Sequence, residues 1–295
     1  MSDAISSQPE ADAVVAACLD ADGVSPLEHF PVDAEHVLFV VDSGGRPAAV
    51  GVLAAGPVWR LAVATHPQMR GRGAGVRAAE AAVAHAGRVG GRGRIDMWVP
   101  GALLHPEVEP LAYHLDFALT RRLLRLEVDL GALAPVEVPA PYRFDTAGDD
   151  DVDAIVAVNN RAFAWHEDQG SWTAAELRER LREKWVDRSG FVVAREGDRI
   201  AGFCWTKLHG GGRPVGEIYV ICTDPSDAGR GLGRALTLAG LTYLASSVGT
   251  GMLYVDDGNL PARRVYRRLG FHLARVDARY TRDPTLPPFG GVVSR

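Results

Sequence analysis

Three glycines between an apolar strand and a helix form the part of this chain best suited to chemistry. The stretch from Val215 to Gly233 has the sequence VGEIYVICTDPSDAGRGLG. Its apolar core predicts a strand that is buried on both faces, and Asp224-Pro225 predicts the strand's end, because proline cannot donate to a sheet ladder. Glycines that open a helix expose backbone N–H groups and the positive end of the helix dipole, which together favour a pyrophosphate. We therefore expect a phosphate-bearing cofactor beside a buried carboxylate, Glu217.

The same loop occurs earlier in the chain, at a constant spacing. Farther on, a second short motif also recurs at nearly the same spacing. Internal similarity of this kind indicates that one strand–loop–helix unit is present twice. The matched features are His66-Pro67 with Asp224-Pro225 and Gly73-x-Gly75 with Gly231-x-Gly233, each 158 residues apart, and Leu115-Asp116-Phe117 with Leu269-Gly270-Phe271, 154 residues apart.

A proline-rich segment between the two copies has no helical period and predicts a linker. It runs from Gly131 to Pro141 and also contains Pro135 and Pro139. We place the domain boundary near residue 137. The sequence therefore predicts an N-terminal domain over residues 1–136 and a C-terminal domain over residues 137–295.

Hydrophobic periodicity and turn residues predict the elements that position these loops. Thr173 and Glu176 form a capping-box pattern at the start of one helix. In the first half we expect helices over 13–19, 76–86 and 111–115 and strands over 36–41, 48–54, 59–64, 95–99 and 123–130. In the second half we expect helices over 149–163, 173–185, 235–244 and 262–269 and strands over 191–195, 200–208, 218–222, 252–255 and 272–280.

Composition narrows the possible functions. The chain has 295 residues, 47% of them hydrophobic, a net charge of −5 and a pI near 6.0, which argues against a broad basic surface for nucleic acid. Cys18, Cys204 and Cys222 lack ligand spacing, so neither a disulfide framework nor a metal site is predicted. No apolar run reaches about 18 residues, and the N-terminus lacks signal-peptide features. We expect a cytoplasmic monomer that acts on a small molecule without a membrane partner.

The glycine loop resembles the signature of the GNAT superfamily of acetyl-CoA-dependent N-acetyltransferases, Gln/Arg-x-x-Gly-x-Gly/Ala. The first copy matches at Arg70, Gly73 and Gly75, whereas Ala228 replaces the first residue of the second copy. The cradle consists mainly of backbone N–H groups, so this departure affects one side-chain contact rather than the loop. The resemblance implies an α/β (α+β) fold of two tandem GNAT-like domains, each with a mixed, mostly antiparallel sheet flanked by helices, and acetyl-CoA as co-substrate.

A more specific similarity covers most of residues 140–282. The shared stretches are Val158-Asn159-Asn160 through Phe163, His166 through Thr173, Gly202 through Lys207, Gly216 through Val220, and Leu253 through Tyr266. They resemble a tandem branch of the superfamily that acetylates the cysteinyl amine of a glucosamine–inositol pseudo-disaccharide, Cys-GlcN-Ins. The resemblance therefore implies the same acetyl transfer here.

The chemistry of such a transfer needs a base and an acid. An α-amine with a pKa near about 8 is partly protonated at neutral pH, and only its free-base form attacks a thioester, so a carboxylate beside the cofactor is required. We expect Glu217 to be the general base and Tyr266 to protonate the departing thiolate. At the spacings given above Glu217 corresponds to Trp59, and Tyr266 corresponds to Ala112 next to Tyr113. The missing carboxylate predicts that the C-terminal half is catalytic and that the N-terminal half is degenerate, with a structural role.

The resemblance also implies which residues bind the two substrates. For acetyl-CoA these are Ile221, Cys222, Thr223, Ala228, Gly229, Arg230, Gly231, Leu232, Gly233, Arg234, Asn259 and Arg264, with Leu61, Ala62, Val63, Arg70, Gly71, Arg72, Gly73, Ala74 and Gly75 in the first copy. For the acceptor they are Glu28, Asp168, Lys207, Glu217 and Tyr254. His166 and His209 are expected to be loop histidines rather than catalysts.

Two alternatives remain open at this point. A tandem acetyltransferase could act on another amine, such as an aminoglycoside or a peptide N-terminus. The chain could also be an acetyl-CoA-binding sensor without catalytic activity, although Glu217 and Tyr266 argue against that role.

Overall fold

The computed structural model describes residues 8–31, 34–89, 93–166, 169–210 and 214–283. These residues form two units. Unit 1 contains the chain up to Leu123 together with the segment from Arg275 onwards, and unit 2 contains Leu124–Ala274. The two units divide inside two strands, between Leu123 and Leu124 and between Ala274 and Arg275. The boundary near residue 137 between two folding domains stays a prediction.

Unit 1 is a sheet with helices on both faces. Its helices are α1 (Gln8–Asp22), α2 (Ala74–Arg88) and α3 (Val108–His114), and its strands are β1 (His36–Asp42), β2 (Pro47–Ala54), β3 (Trp59–Thr65), β4 (Ile95–Val99), the first part of β5 (Ala118–Asp129) and most of β11 (His272–Arg282). The strand order is β1-β2-β3-β4-β11, followed by β5. The β3/β4 pair is parallel, and the pairs β1/β2, β2/β3 and β4/β11 are antiparallel.

Unit 2 repeats this plan. Its helices are α4 (Val152–Ala162), α5 (Ala174–Arg180), α6 (Leu232–Ala245) and α7 (Leu260–Arg268), and its strands are β6 (Arg143–Thr146), β7 (Phe191–Glu196), β8 (Arg199–His209), β9 (Val215–Thr223), β10 (Thr250–Asp256) and the second part of β5. The order is β10-β9-β8-β7-β6, with β5 beside β10. Here β9/β10 is the parallel pair, and β6/β7, β7/β8 and β8/β9 are antiparallel.

Alternation along the strands explains the two layers of helix on each sheet. In unit 1, Val50 and Val52 pack with α1, while Leu53 on the other face packs with the alanines of α2. Small residues allow close helix approach: a Cβ on Gly51 would lie 2.8 Å from the carbonyl oxygen of Ala78 in α2. The mixed, mostly antiparallel sheet with flanking helices is thus confirmed.

Unit 2 uses the same packing with larger aromatic residues. Phe203 and Trp205 pack with α4 on one face of β8. On the other face a Cβ on Gly240 of α6 would lie 2.5 Å from the sulfur of Cys204, so glycine is required for α6 to approach β8. Cys18, Cys204 and Cys222 are free and buried.

Most predicted elements occur close to their expected positions, and the capping box is confirmed, because the Thr173 side chain accepts from the Glu176 backbone N–H. The helix predicted over 173–185 is too long, since α5 ends at Arg180. Beyond that point Trp185 stacks on Trp205 at 5.3 Å between ring centroids. Tertiary packing of one aromatic side chain therefore outweighs the local helical pattern. Within the described residues, no helix is both long and apolar enough to cross a membrane.

Candidate active site

Two glycines set the conformation of each loop. Gly71 and Gly73 precede α2 with φ of 72° and 77°, and Gly229 and Gly231 precede α6 with φ of 79° and 81°. Non-glycine residues rarely adopt this left-handed region, so the spacing of 158 residues found in the sequence also holds for the backbone. The two loops have one conformation.

Each loop presents the N-terminus of a helix. The first intrahelical bond of α6 is donated by the Ala235 N–H to Gly231, and that of α2 by the Arg77 N–H to Gly73. The preceding N–H groups of each helix are therefore not used within it. A helix N-terminus that also carries the positive end of the dipole suits a pyrophosphate. Both loops have the form that the sequence predicted for acetyl-CoA.

The strand before each loop separates from its parallel neighbour. In unit 2 the β9/β10 pairs are Gly216–Gly251 and Glu217–Met252, and they end there. The predicted acetyl-CoA contacts Ile221, Cys222 and Thr223 lie beyond this point, where the β10 side of β9 has lost its strand partner. In unit 1 the last β3/β4 pair is Leu61–Met97, so Ala62 and Val63 lie in the corresponding opening and Leu61 at its edge. An opened parallel pair leaves backbone groups available to an extended ligand.

A β-bulge distinguishes the two copies. In unit 2, Trp205 pairs with Val220 and Thr206 pairs with Ile218, so Tyr219 is an extra residue. The β2/β3 register contains no such shift. Residues of β9 that follow the bulge therefore correspond to residues of β3 at the spacing of 158. Residues of β9 that precede the bulge correspond to the β3 residue one place later than this spacing gives.

The bulge corrects the counterpart of Glu217. Lys207 pairs with Glu217 in unit 2, and Ala54 pairs with Arg60 at the same place in unit 1. The prediction that Trp59 occupies the position of Glu217 is wrong, and the counterpart is Arg60. The absence of a carboxylate from that position in unit 1 still holds, because a cation stands there.

Arg60 belongs to a charged cluster that fills the corresponding place in unit 1. Its Nη1 donates to the Asp96 carboxylate at 2.7 Å. Asp96 is 1% exposed and also accepts from Arg94 Nε at 2.8 Å and from the Thr281 hydroxyl at 2.8 Å. A carboxylate with three donors is fully engaged, so it is poorly suited to take a proton from a substrate.

Glu217 lies in β9 and is 8% exposed. Its Oε2 lies 2.6 Å from Nε2 of His209, the last residue of β8. His209 was predicted to be a loop histidine, and this contact corrects that prediction. The alternation of β8 carries the signal that was missed: His209 follows Lys207 by two residues and therefore projects from the same face.

Lys207 lies opposite Glu217 but points its charge at aromatic rings. Its Nζ lies 4.6 Å from the ring centroid of Trp185 and 5.4 Å from that of Tyr219. Such cation–π contacts orient the side chain. The structure therefore brings Lys207, His209 and Glu217 together on one face of the β8/β9 pair.

Tyr266 lies in α7 and is buried. Desolvation by burial raises the pKa of its phenol above the ordinary value, so the phenol stays protonated. The Phe271 N–H donates to the carbonyl of Tyr266, and the Phe117 N–H donates to that of Ala112 in the same way. The shared hydrogen bond makes Ala112 the counterpart of Tyr266. The neighbouring residue Tyr113, which is 63% exposed, is therefore not the counterpart.

The other residues of unit 2 that were predicted to bind a substrate lie in different surroundings. The Asn259 side chain caps α7 by accepting from the Ala262 N–H at 3.2 Å. Arg230 Nη1 lies 3.2 Å from the Tyr142 hydroxyl, and Arg264 is exposed. Tyr254 lies in β10, whereas Asp168 falls outside the described residues.

Unit 1 holds a well-formed pocket at its loop. The pocket encloses about 280 Å³ and is lined by the loop and by both opened strands, including Val63, Thr65, Gly73, Gly75, Met97 and Val99. The Arg70 guanidinium donates to both Asp22 oxygens, at 2.9 Å from Nη1 and 2.5 Å from Nη2, so its side chain is engaged with the end of α1. The pocket therefore offers mainly the backbone of the loop.

Glu28 belongs to a separate cluster of unit 1. Glu28, His29 and Asp277 have ligand atoms within 4.8 Å of one another. Arg275 bridges the two carboxylates, because Nη1 donates to Glu28 at 2.9 Å and Nη2 donates to Asp277 at 2.9 Å. Burial raises the pKa of Asp277, but hydrogen bonds from His29 and Arg275 outweigh it and lower the pKa. The guanidinium already supplies the cation that these carboxylates require.

The fold and this site define an acetyltransferase of the GNAT class: residues 159–271 match the family model described as the acetyltransferase (GNAT) family. Enzymes of this class take their acetyl group from acetyl-CoA. The chain is 39% identical to the mycothiol acetyltransferase of Acidothermus cellulolyticus, over 94% of this chain and 91% of that protein. It is also 39% identical to that of Mycobacterium sp. (strain JLS), over 90% and 92%. The chain therefore belongs to the mycothiol acetyltransferase family.

Solved structures agree on the fold. A GCN5-related N-acetyltransferase from Sphaerobacter thermophilus is 20% identical, with a TM-score of 0.71 over 92% of this chain and 90% of that one. A tandem GNAT protein from the clavulanic acid biosynthesis pathway is 22% identical, with a TM-score of 0.62 over 94% and 96%. Both share the fold of this chain, and the second supports two GNAT-like copies in one chain.

Proposed function

We propose that this enzyme transfers acetyl from acetyl-CoA to the cysteinyl amine of Cys-GlcN-Ins and so forms mycothiol. The observation that carries the proposal is the identity to mycothiol acetyltransferases along almost the whole chain. Since acetyl-CoA is a cytoplasmic metabolite, the proposed reaction belongs in the cytoplasm.

In the proposed reaction Glu217 takes a proton from the substrate ammonium, directly or through one water. The free amine attacks the thioester carbonyl, the attacking nitrogen of the tetrahedral intermediate releases its remaining extra proton to solvent, and collapse of the intermediate breaks the C–S bond. Tyr266 gives its proton to the departing CoA thiolate. Burial of Tyr266 supports the acid role, because a raised phenol pKa keeps the proton on the residue until a strong base forms beside it.

The loop of unit 2 is proposed to hold the acetyl-CoA that reacts. Gly229 to Arg234 would hold the pyrophosphate, Ile221 to Thr223 would pair with the pantetheine arm, and Asn259 and Arg264 would lie nearby. The left-handed glycines, the N-terminus of α6 and the opening between β9 and β10 support this assignment. The corresponding residues of unit 1, Leu61 to Val63 and Arg70 to Gly75, are proposed to bind a second acetyl-CoA, which the pocket supports.

The proposed acceptor contacts are Asp168, Lys207, Glu217, Tyr254 and Glu28. Lys207 and Glu217 are supported by their shared face of β8/β9. A sugar and an inositol present many hydroxyl groups, and charged side chains bind these strongly when water is excluded. Asp168 is proposed from the sequence alone.

The test is a panel of acceptors with acetyl-CoA as donor. We expect Cys-GlcN-Ins to be acetylated with a kcat/KM at least about 100-fold above that for glucosamine, an aminoglycoside and a peptide N-terminus, because discrimination by several buried polar contacts reaches this size. Turnover of one of the other amines without turnover of Cys-GlcN-Ins would overturn the proposed acceptor. Binding of acetyl-CoA without turnover of any amine would overturn the enzymatic role.

A further inference from the structure

We propose that His209 is a positioning residue for Glu217: it holds one carboxylate oxygen so that the other is aimed at the substrate amine. The inference rests on the proposed role of Glu217 as general base. Its starting point is the distance of 2.6 Å between His209 Nε2 and Glu217 Oε2.

The proposed role of Glu217 as a base assigns the proton in this contact. An ionised carboxylate can only accept hydrogen bonds, so the hydrogen between the two atoms belongs to Nε2 of His209. Oε2 of Glu217 is thereby occupied, and proton removal from the amine falls to Oε1. A carboxylate with a single fixed oxygen keeps one orientation, which a general base in a buried site requires.

His209 is the group that can do this. Within the described part of the chain it is the partner found for the Glu217 carboxylate. Lys207 lies directly opposite Glu217 in the β8/β9 register, but its Nζ is engaged over the rings of Trp185 and Tyr219. Burial raises the pKa of the Tyr219 phenol, and the charges of Arg180, Glu217 and Glu183 also act on that phenol.

The duplicated unit provides an internal comparison. Lys207 corresponds to Ala54, so two residues farther along His209 corresponds to Gly56, and Glu217 corresponds to Arg60. Unit 1 therefore lacks both members of the pair. A histidine that served only to end the strand would be as useful in unit 1 as in unit 2. A histidine occurs at this position only in the unit that also has the Glu217 carboxylate, which indicates that His209 acts together with Glu217.

The positions of the two side chains also make the pair easy to test. The His209 side chain is 37% exposed and that of Glu217 is 11% exposed. Substitution of His209 therefore removes little buried surface, and the variants are expected to fold. Glutamine places its amide nitrogen near the position of Nε2, whereas asparagine reaches only as far as Nδ1.

The experiment measures kcat and KM for both substrates in the full chain with H209Q, H209N and H209F. We expect kcat/KM for the amine to fall about 10- to 100-fold in H209N and H209F, to stay within about 5-fold of the parent in H209Q, and the KM for acetyl-CoA to change little. Equal losses in H209Q and H209F, or no loss in any variant, would overturn the inference. Thermal unfolding of each variant separates a folding defect from a catalytic one.

A double-mutant cycle with Glu217→Gln completes the test. If His209 acts through Glu217, H209F should cost little once Glu217 is replaced. Full additivity of the two losses would show that His209 acts elsewhere. Loss of activity in Glu217→Gln without any effect of H209F would refute the positioning role alone, whereas an unaffected Glu217→Gln would refute the base itself. If the acceptor panel identifies another amine, the same cycle is measured with that amine.

Discussion

Glu217 and Arg60 occupy the same strand position in the two units and carry opposite charges. Arg60 is held by Asp96, a carboxylate that is already fully engaged. Glu217 has a histidine partner instead. A single position therefore separates a site that can accept a proton from one that cannot.

Replacement of the proposed base tests this difference directly. In Glu217→Gln we expect kcat/KM for the amine to fall about 10²- to 10⁴-fold, the range for a general base, with acetyl-CoA binding retained. Steady-state kinetics and acetyl-CoA titration measure both. Glu196→Gln, at the end of β7, is the matched control and should keep its activity. Retention of the parent rate by Glu217→Gln would refute the assignment.

The proposed acid leads to a different prediction. Tyr266→Phe should lower kcat about 10- to 100-fold, because the CoA thiolate must then leave without a positioned proton. Since burial raises the pKa of this phenol, its ionisation should not reduce kcat of the parent enzyme below about pH 10. A pH–rate profile measures this. A fall in kcat of the parent enzyme below about pH 10 that is absent from Tyr266→Phe would contradict the raised pKa.

At the scale of elements, the glycine loop depends on two left-handed residues rather than on space. A Cβ on Gly231 would meet no atom within 4 Å, but its φ is +81°. We expect Gly231→Ala to cost about 1 kcal/mol of loop conformational energy and to weaken acetyl-CoA binding about 5-fold or more. Gly249→Ala, at an open position without a positive φ, is the control. Equal affinities for the two variants in a titration would argue against the loop as the binding element.

The turn before that loop is anchored by Asp227, which is 2% exposed. Arg199 donates to it at 2.7 Å, and so does the Tyr142 hydroxyl. The hydrogen bond from Arg199 is the main cause that lowers the pKa of Asp227 to about 2. A pKa lowered by folding stabilises the protein above the unfolded-state pKa, near about 4, and this stabilisation is lost as the pH falls towards 2.

Asp227→Asn should therefore destabilise the protein by about 1–2 kcal/mol at pH 7, a value reduced from the full shift because the Arg199 side chain is 42% exposed. The difference in free energy of unfolding between parent and variant should shrink between about pH 4 and pH 2. Denaturant titrations at several pH values measure it. A difference that stays constant across this window would exclude the ion pair as its source.

Local chemistry made the loops and most elements predictable from the sequence. Glycine is strongly favoured where φ is positive, and proline ends a strand, so Gly73, Gly231 and Asp224-Pro225 are informative without any tertiary contact. The bulge at Tyr219 was not predictable, because an extra residue in one strand shows only in the register of its neighbour. Because of this extra residue, the comparison of the two copies at a constant spacing matched Glu217 with Trp59 instead of Arg60. His209 was missed because its partner, Glu217, lies on another strand.

For the whole molecule, the duplicated loops predict two acetyl-CoA sites per chain. Titration of the protein should show two binding events. Gly75→Ala should weaken one of them, because a Cβ there would lie 2.5 Å from the Thr65 hydroxyl, so either this side chain or the start of α2 must move. The corresponding Gly233 has its nearest atom at 3.9 Å, so Gly233→Ala should be milder. A single binding event in the parent protein would refute the second site.

The path of β11 has a consequence for synthesis. Unit 1 takes in the chain from Arg275 onwards, and Ala278 to Arg282 pair with β4. Asp277, which accepts from the Gly101 N–H at 2.8 Å, comes from the same segment. Domains usually fold in the order in which the ribosome releases them. Here unit 1, most of which is translated first, cannot complete its sheet until residues 275–282 have left the ribosome. Unit 2 ends at Ala274, so it can be completed before unit 1.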